Sequence, residues 1–247
     1  MRTDFPQREQ RSRSERSSKQ QCGHVRVGTS VIVGGIGANQ RRHCDWFVSM
    51  SAIVDRFDAG TQPAGRPPAP GRLAFVQAFL NTFWDLDGDG DEVWSTPGAY
   101  GAWLEARGFD AAPTKADLQR ALDLRKALRA LCLANHAAAD VPEVLAVLDV
   151  IAADVAPGAA LAPSLRSGAL EPVGNGPDAA CGLALGIVFA ARADGSFARL
   201  KACPHAHCGW AFYDSSRNRS GQWCSMRICG NRTKGEAFRR RTSGRRP

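Results

Sequence analysis

The chain has no uninterrupted apolar run of about eighteen residues, the least that would cross a membrane as a helix. Its beginning lacks the order of a secretory leader, because the apolar stretch Val25 to Ile36 is short, broken by glycines and far from Met1. Catalytic patterns are missing as well. There is no Ser/His/Asp set with a supporting motif, no phosphate-cradling glycine loop and no helical carboxylate pair at metal-binding spacing. Two partial motifs fail at the residue that matters. Gly35-x-Gly37 is followed by Gln40 where a dinucleotide fingerprint needs its third glycine. In loop 85–96, Asp85, Asp87, Asp89 and Gly90 match the start of a calcium loop, but Thr96 stands where a bidentate glutamate is required. A solvated Asp/Gly turn is expected there instead. Acids, finally, are scarce near the C-terminus: from Lys201 onward eleven Lys/Arg accompany only Asp214 and Glu236.

That last shortage shapes the field of the molecule. The net charge of +8 divides into about +5 over residues 1–49, −6 over the middle and +9 from Lys201 on. A neutral-to-acidic body with a basic end is the electrostatic layout of a nucleic-acid binder. The length of 247 residues suits one large or two small domains, and an apolar fraction of 44% is enough for a core.

Of the eight cysteines, Cys22, Cys44, Cys132 and Cys181 are scattered without ligand spacing and read as ordinary thiols. The other four form two pairs, Cys203/Cys208 and Cys224/Cys229, each with four residues between partners. One knuckle turns two sulfurs toward a common point, and the segment between the pairs is long enough to fold back and complete a Zn²⁺ tetrahedron. A pair of disulfides, or four unrelated buried thiols, are the competing readings, the disulfides disfavoured where nothing suggests secretion. His205 and His207 lie inside the first knuckle as substitute ligands, but with four thiols at hand they are expected to be exposed loop residues. Four thiolates leave no open coordination position, which makes the metal structural and argues against zinc catalysis. So small a module needs the metal, whose binding supplies on the order of 10–16 kcal/mol toward folding. Trp210, Phe212, Tyr213 and Trp223 alternate with small and polar residues, predicting an aromatic hairpin face packed around the metal. From Met226 the chain is expected to be helical, with Cys229 in the first turns.

Within this stretch stand Cys229-Gly230-Asn231-Arg232, Trp223-Cys224-Ser225-Met226 and Asp214-Ser215-Ser216-Arg217-Asn218-Arg219-Ser220. Together they resemble the CGNR zinc finger, over about residues 199–235. In that family the finger follows a mostly helical domain called ABATE, in proteins grouped as stress-induced transcription regulators. The resemblance implies a zinc site of four cysteines and DNA binding. The preceding domain matches more loosely, through Leu80-Asn81-Thr82 followed by an acidic loop.

Residues 1–49 are rich in Arg, Ser and Gln, with a short strand conceivable at 25–39, and translation starting at Met50 is one expectation for this extension. A Pro/Gly linker (Thr61 to Gly71) follows. Leu73, Val76, Leu80 and Phe83 then fall at helical spacing. Ser95-Thr96-Pro97 starts a second helix that ends at Gly108. Thr114 with Asp117 starts the clearest one, over 115–138, with His136 near its end expected to be solvated or capping. Asp140-x-x-Glu143 opens a fourth, to about Ala156. LAPSLR and ALEPVG around Ser167-Gly168 pair as a small hairpin. Residues 178–195 suit helix or strand by pattern, and the family resemblance favours helix.

The expected architecture is mainly α. An extension expected to be disordered and a linker (1–71) lead to a helical ABATE-like domain with a small β-hairpin (72–195). A four-cysteine zinc-ribbon or treble-clef-like finger (199–235) and a basic tail (236–247) follow. The expected function is a non-enzymatic, cytoplasmic, nucleoid-associated DNA-binding transcription regulator holding Zn²⁺ at Cys203, Cys208, Cys224 and Cys229. Arg217, Arg219, Arg227, Arg232, Lys234, Arg239, Arg240 and Arg241 are the expected nucleic-acid contacts. Asn218 and Asn231 are as suited to holding turns as to reading adenine. The helical domain is expected to form a homodimer or to sense a small-molecule effector. Two alternatives stand beside this: a protein-binding or RNA-binding finger, and a ligand-binding or enzymatic helical domain under a regulatory finger.

Overall fold

The computed structural model describes residues 59–60, 62–85, 90–110, 112–137 and 141–243. The strand considered at 25–39, the start considered at Met50, and Asp87 and Asp89 of the calcium-like loop lie outside these residues. In chain order come α1 (Leu73–Leu80), β1 (Phe83–Trp84), β2 (Asp91–Glu92), α2 (Pro97–Glu105), α3 (Lys115–Ala134) and α4 (Pro142–Val155). Then follow β3 (Leu161–Ser164), β4 (Ala169–Pro172), α5 (Pro177–Ala193), β5 (Leu200–Ala202), β6 (Ala211–Tyr213) and α6 (Asn231–Ser243). Each strand pair is an antiparallel two-stranded ribbon: β1–β2, β3–β4 and β5–β6.

Helices α2 and α3 start at hydroxyl caps, whereas α1, α4 and α5 start without a side-chain cap. Thr96 Oγ1 accepts from Ala99 N–H at 3.1 Å, with Pro97 in the first turn of α2. Thr114 and Asp117 form a reciprocal capping box on α3, Thr114 N–H donating to Asp117 Oδ2 at 2.7 Å and Asp117 N–H to Thr114 Oγ1 at 3.2 Å. The third helix ends earlier than expected, at Ala134, and the stretch open to helix or strand forms a helix, Pro177–Ala193, as the resemblance predicted.

Helix α1 is the axis of the body. All eight of its residues are buried, so it has no polar face and must be covered on every side. Helices α3 and α5 pack along it, and strand β6 of the finger covers a third side. Phe75, Phe79, Trp94, Tyr100 and Trp103 interlock beside it, with Trp94 edge-on to Phe79 at 4.8 Å and to Trp103 at 5.1 Å. Arg125 on α3 is drawn into this layer: it lies over the Phe83 and Trp94 rings, forks onto the Glu92 carboxylate and donates to Thr82 Oγ1 at 2.8 Å. Residues of the expected linker also take part, since Gln62 and Ala69 are buried.

The finger's hairpin belongs to the same core. Leu200, Ala202 and Ala211 are fully buried members of the cluster that contains α1 and α3. Asn81, just past α1, acts as a third strand in miniature. Its Nδ2 donates to Ala211 O at 2.9 Å and its Oδ1 accepts from Ala211 N–H at 2.7 Å. Gln77 adds a bond to the same carbonyl at 3.2 Å. Asn135 at the end of α3 donates to Phe197 O and Leu200 O. These bonds complete backbone groups that burial would otherwise leave unpaired.

Three expectations change here. His136 is half-buried rather than solvated: Nε2 lies 2.7 Å from Ala202 O, and the ring packs beside Phe212. His205 is buried rather than exposed, whereas His207 is exposed. The aromatic face of the hairpin turns toward the helical body, not the metal. Trp210 and Phe212 share one face by the two-residue strand period. That face meets Trp84, Gln62, Arg66 and His136, because the body offers more apolar surface than the knuckle.

Candidate zinc centre and basic surface

The first knuckle is the turn between β5 and β6. Cys203 follows β5, with its N–H donating to Trp210 O at 2.8 Å, and Cys208 N–H closes the turn on His205 O at 3.0 Å. Gly209, at φ +64°, carries the chain into β6. The second pair lies at the start of α6. Cys229 sits in a single wide helical turn, Met226–Gly230, that Ser225 Oγ caps by accepting from Ile228 N–H at 3.3 Å. Gly230 packs beneath Trp223, where a Cβ would lie 3.1 Å from the indole ring. Asn231 Nδ2 donates back to Arg227 O at 3.3 Å, so this asparagine holds the turn.

All four cysteines are buried, and their sulfurs lie within 4.8 Å of one another. Cys224 Sγ is 3.6 Å from both Cys208 Sγ and Cys229 Sγ. A tetrahedral zinc with Zn–S bonds of about 2.3 Å requires sulfurs about 3.8 Å apart, whereas a disulfide requires about 2.05 Å. The spacing fits the metal and excludes the bridges. Contact with Cys208, Cys224 and Cys229 holds the Cys203 thiol well below its usual range, while contact with Cys203 and Cys208 pushes Cys224 and Cys229 up. Bound zinc supplies the positive charge that lets all four be thiolates. Arg66 braces the site from behind, donating from Nε to Cys224 O at 2.8 Å and from Nη2 to Trp223 O at 3.1 Å.

A second buried cluster underlies the loop between β6 and Gln222. Lys201, 2% exposed, donates from Nζ to Asp214 Oδ2 at 2.9 Å, to Arg219 O at 2.5 Å and to Gly221 O at 3.2 Å. Asp214, fully buried, also accepts from Ser216 N–H and Oγ–H and from Gly221 N–H. Burial alone would push the Asp214 carboxyl up. The bonds from Ser216, Lys201 and Gly221 outweigh it and hold the group well below the usual carboxylate range.

Residues 199–242 match the CGNR zinc finger. Residues 63–199 match ABATE, described as Putative stress-induced transcription regulator. The chain belongs to the ABATE family. No curated protein matches the sequence. The order of the two matches is the one the motifs implied, and the four-cysteine cluster of this ABATE protein sits inside the finger match. Among the described residues, no helix is long and apolar enough to cross a membrane.

In this ABATE protein the side chains expected to meet nucleic acid are all exposed, but they do not form one row. Arg217 and Arg219 stand on the loop above Lys201 and Asp214, and Arg227 on the wide turn. Lys234 joins Ser220, Gly221, Trp223 and Met226 around a shallow cleft of about 370 Å³, which places that side of α6 beside the loop. Arg241, seven residues on, shares the Lys234 side, whereas Arg232, Arg239 and Arg240 fall on another with Glu236 between them. Glu236 in turn lies 3.6 Å from His205 Nε2.

Lys201, Asp214, Arg66 and Asn81 were given no role by the sequence, although Asp214 and Asn81 stand inside the motifs that carry the resemblance. A lysine inside the apolar strand Leu-Lys-Ala, with a lone acid thirteen residues later in an otherwise basic module, was the available signal for the first two.

Proposed function

We propose that this protein is a transcription regulator that binds DNA through the zinc-held basic surface of its finger. One observation carries this reading. Of the two acids in the C-terminal stretch, Asp214 is fully buried against Lys201, so it subtracts nothing from the outward field. Arg217, Arg219, Arg227, Arg232, Lys234, Arg239, Arg240 and Arg241 are exposed against Glu236 alone among the described residues of that stretch. Such a one-signed surface attracts phosphate and releases its counterions. The zinc acts as a structural pin, four thiolates filling its coordination, and the protein works as a binder rather than an enzyme in the cytoplasm, at the nucleoid.

For the helical body we retain dimerisation or effector sensing. Val150 and Phe189, 69% and 70% exposed on α4 and α5, are side chains that a second copy would cover.

Retention of fragmented genomic DNA by the zinc-loaded protein across a salt series, with sequencing of the retained fraction, tests the proposal. About five phosphate contacts give a log–log salt slope near −4 to −5. Enrichment of a discrete site supports a sequence-specific regulator, and steep salt dependence without enrichment a nonspecific nucleic-acid binder. No retention at low salt overturns the DNA reading in favour of an acidic protein partner.

A further inference from the structure

Residues Asp214 to Gly221 form a loop that is locked far more tightly than an exposed turn requires. Lys201 uses all three of its ammonium protons on this loop: on Asp214 at one end and on the carbonyls of Arg219 and Gly221 at the other. Asp214 returns the tie by accepting from Gly221 N–H at 2.8 Å. Arg199 clamps the near side from Nη1, at 2.9 Å from Asp214 O and 2.8 Å from Ser216 O. Ser216 Oγ accepts from Ser220 N–H at 3.2 Å across the loop. Gly221 admits no side chain, since a Cβ would lie 2.8 Å from the Asp214 carboxylate.

At the tip of this frame stand Arg217, Asn218 and Arg219, all exposed. Arg219 has φ +52°, a left-handed conformation that non-glycine residues seldom adopt and that persists only when its surroundings impose it. The group imposing it is identifiable: Lys201 Nζ holds the Arg219 carbonyl. A residue kept strained at the surface by a buried charge that is itself inaccessible is a side chain aimed at something.

We infer that the 214–221 loop is the element that reads base edges, with Arg219 as the reading side chain and the buried Lys201–Asp214 pair as its positioning residues. This rests on the DNA reading proposed above and goes beyond it by dividing the basic surface. The loop, fixed in conformation, discriminates sequence, and the arginines of α6 hold phosphates. Base-edge recognition needs donors in fixed positions, because a bidentate pair with guanine forms only at one geometry, whereas a phosphate contact tolerates a mobile side chain.

The test uses the full zinc-loaded chain, a duplex recovered from the retained genomic DNA and a scrambled duplex of equal length. Arg219→Ala is expected to weaken binding to the recovered duplex by about tenfold or more and to the scrambled one by less than about threefold. Lys201→Met is expected to lose the same discrimination. It leaves the salt slope unchanged although a positive charge is gone, because the buried ammonium releases no counterion from DNA. In the Lys201→Met background, Arg219→Ala then has no further effect on discrimination. Arg240→Ala, by contrast, weakens both duplexes equally in either background. Ser216→Ala removes one surface partner of Asp214 and keeps the test available if Lys201→Met fails to retain zinc. It is expected to lower discrimination about threefold at unchanged zinc content. Multiplicative effects of Lys201→Met and Arg219→Ala, wild-type discrimination in Ser216→Ala, or a wild-type protein that holds both duplexes equally would each overturn the inference while leaving DNA binding intact. A wild type that retains neither duplex removes the DNA reading itself.

Discussion

Lys201 Nζ lies 2.9 Å from Asp214 Oδ2, with the two side chains 2% and 0% exposed. Neither charge sees water, so each depends on the other and on the loop's backbone for its solvation. Replacing one partner leaves the other buried and uncompensated, which costs about 3–5 kcal/mol. Lys201→Met and Asp214→Asn should each lower the urea midpoint of the zinc-loaded protein, and the double variant should be less destabilised than the sum. Additive losses would mean the two groups are stabilised separately.

Asn81→Ala should be as damaging as a core truncation, although asparagine is a small polar residue. It strips the buried Ala211 N–H of its partner and leaves the Ala211 C=O with Gln77 Nε2 alone, at about 1–3 kcal/mol for the buried group left unsatisfied. Asn81→Asp keeps only the acceptor and should fall between the wild type and Asn81→Ala in thermal unfolding. A wild-type midpoint for Asn81→Ala would show that β6 is held by its pairing to β5 and the Gln77 bond without Asn81.

How far the sequence revealed this architecture depends on the range of each interaction. The caps at Thr96 and Thr114, the turn at Ser167-Gly168 and the two cysteine pairs are local patterns, each closed within a few residues, and each was legible. Asn81 pairing with Ala211, Arg66 reaching Cys224 O and Lys201 closing on Asp214 join residues that only the fold brings together. His136 shows the limit. A histidine near a helix end reads as a solvated cap until β5 is known to pass beside it.

The capping box of α3 carries a pH dependence of definite sign. Burial would raise the Asp117 carboxyl, but bonds from Thr114 and the nearby Arg120 charge lower it below its ordinary value. A depressed carboxylate stabilises the fold above its unfolded value of about 3.9 and loses that contribution as pH falls through the folded value. Asp117→Asn should therefore cost about 1 kcal/mol at pH 7. The gap from wild type should close below about pH 4. Both proteins shed zinc alike in acid, so the difference between their unfolding midpoints isolates Asp117. A gap that persists unchanged at pH 3 would assign the effect to something other than this charge.

Zinc removal distinguishes a finger tethered to a helical body from one built into it. On sequence grounds, Cys224→Ala should unfold residues 199–235 and leave the helices folded. The structure predicts a wider effect. Strands β5 and β6 lie in the core cluster with α1 and α3, and Gln77, Asn81, Asn135 and His136 all end on finger backbone. Metal binding supplies on the order of 10 kcal/mol to such a module, comparable to the whole stability of a typical domain. Chelation or Cys224→Ala should then raise hydrogen exchange in the second half of α3 and along α1 as well as in the finger. Protection confined to its wild-type level in α1 and α3, with the finger exchanging freely, would refute this coupling. If the coupling holds, any event that shifts α3 or α1 in the body reaches the knuckle through Asn81 and Asn135. A signal sensed among the helices would then have a physical route to the basic surface, through bonds that are already in place.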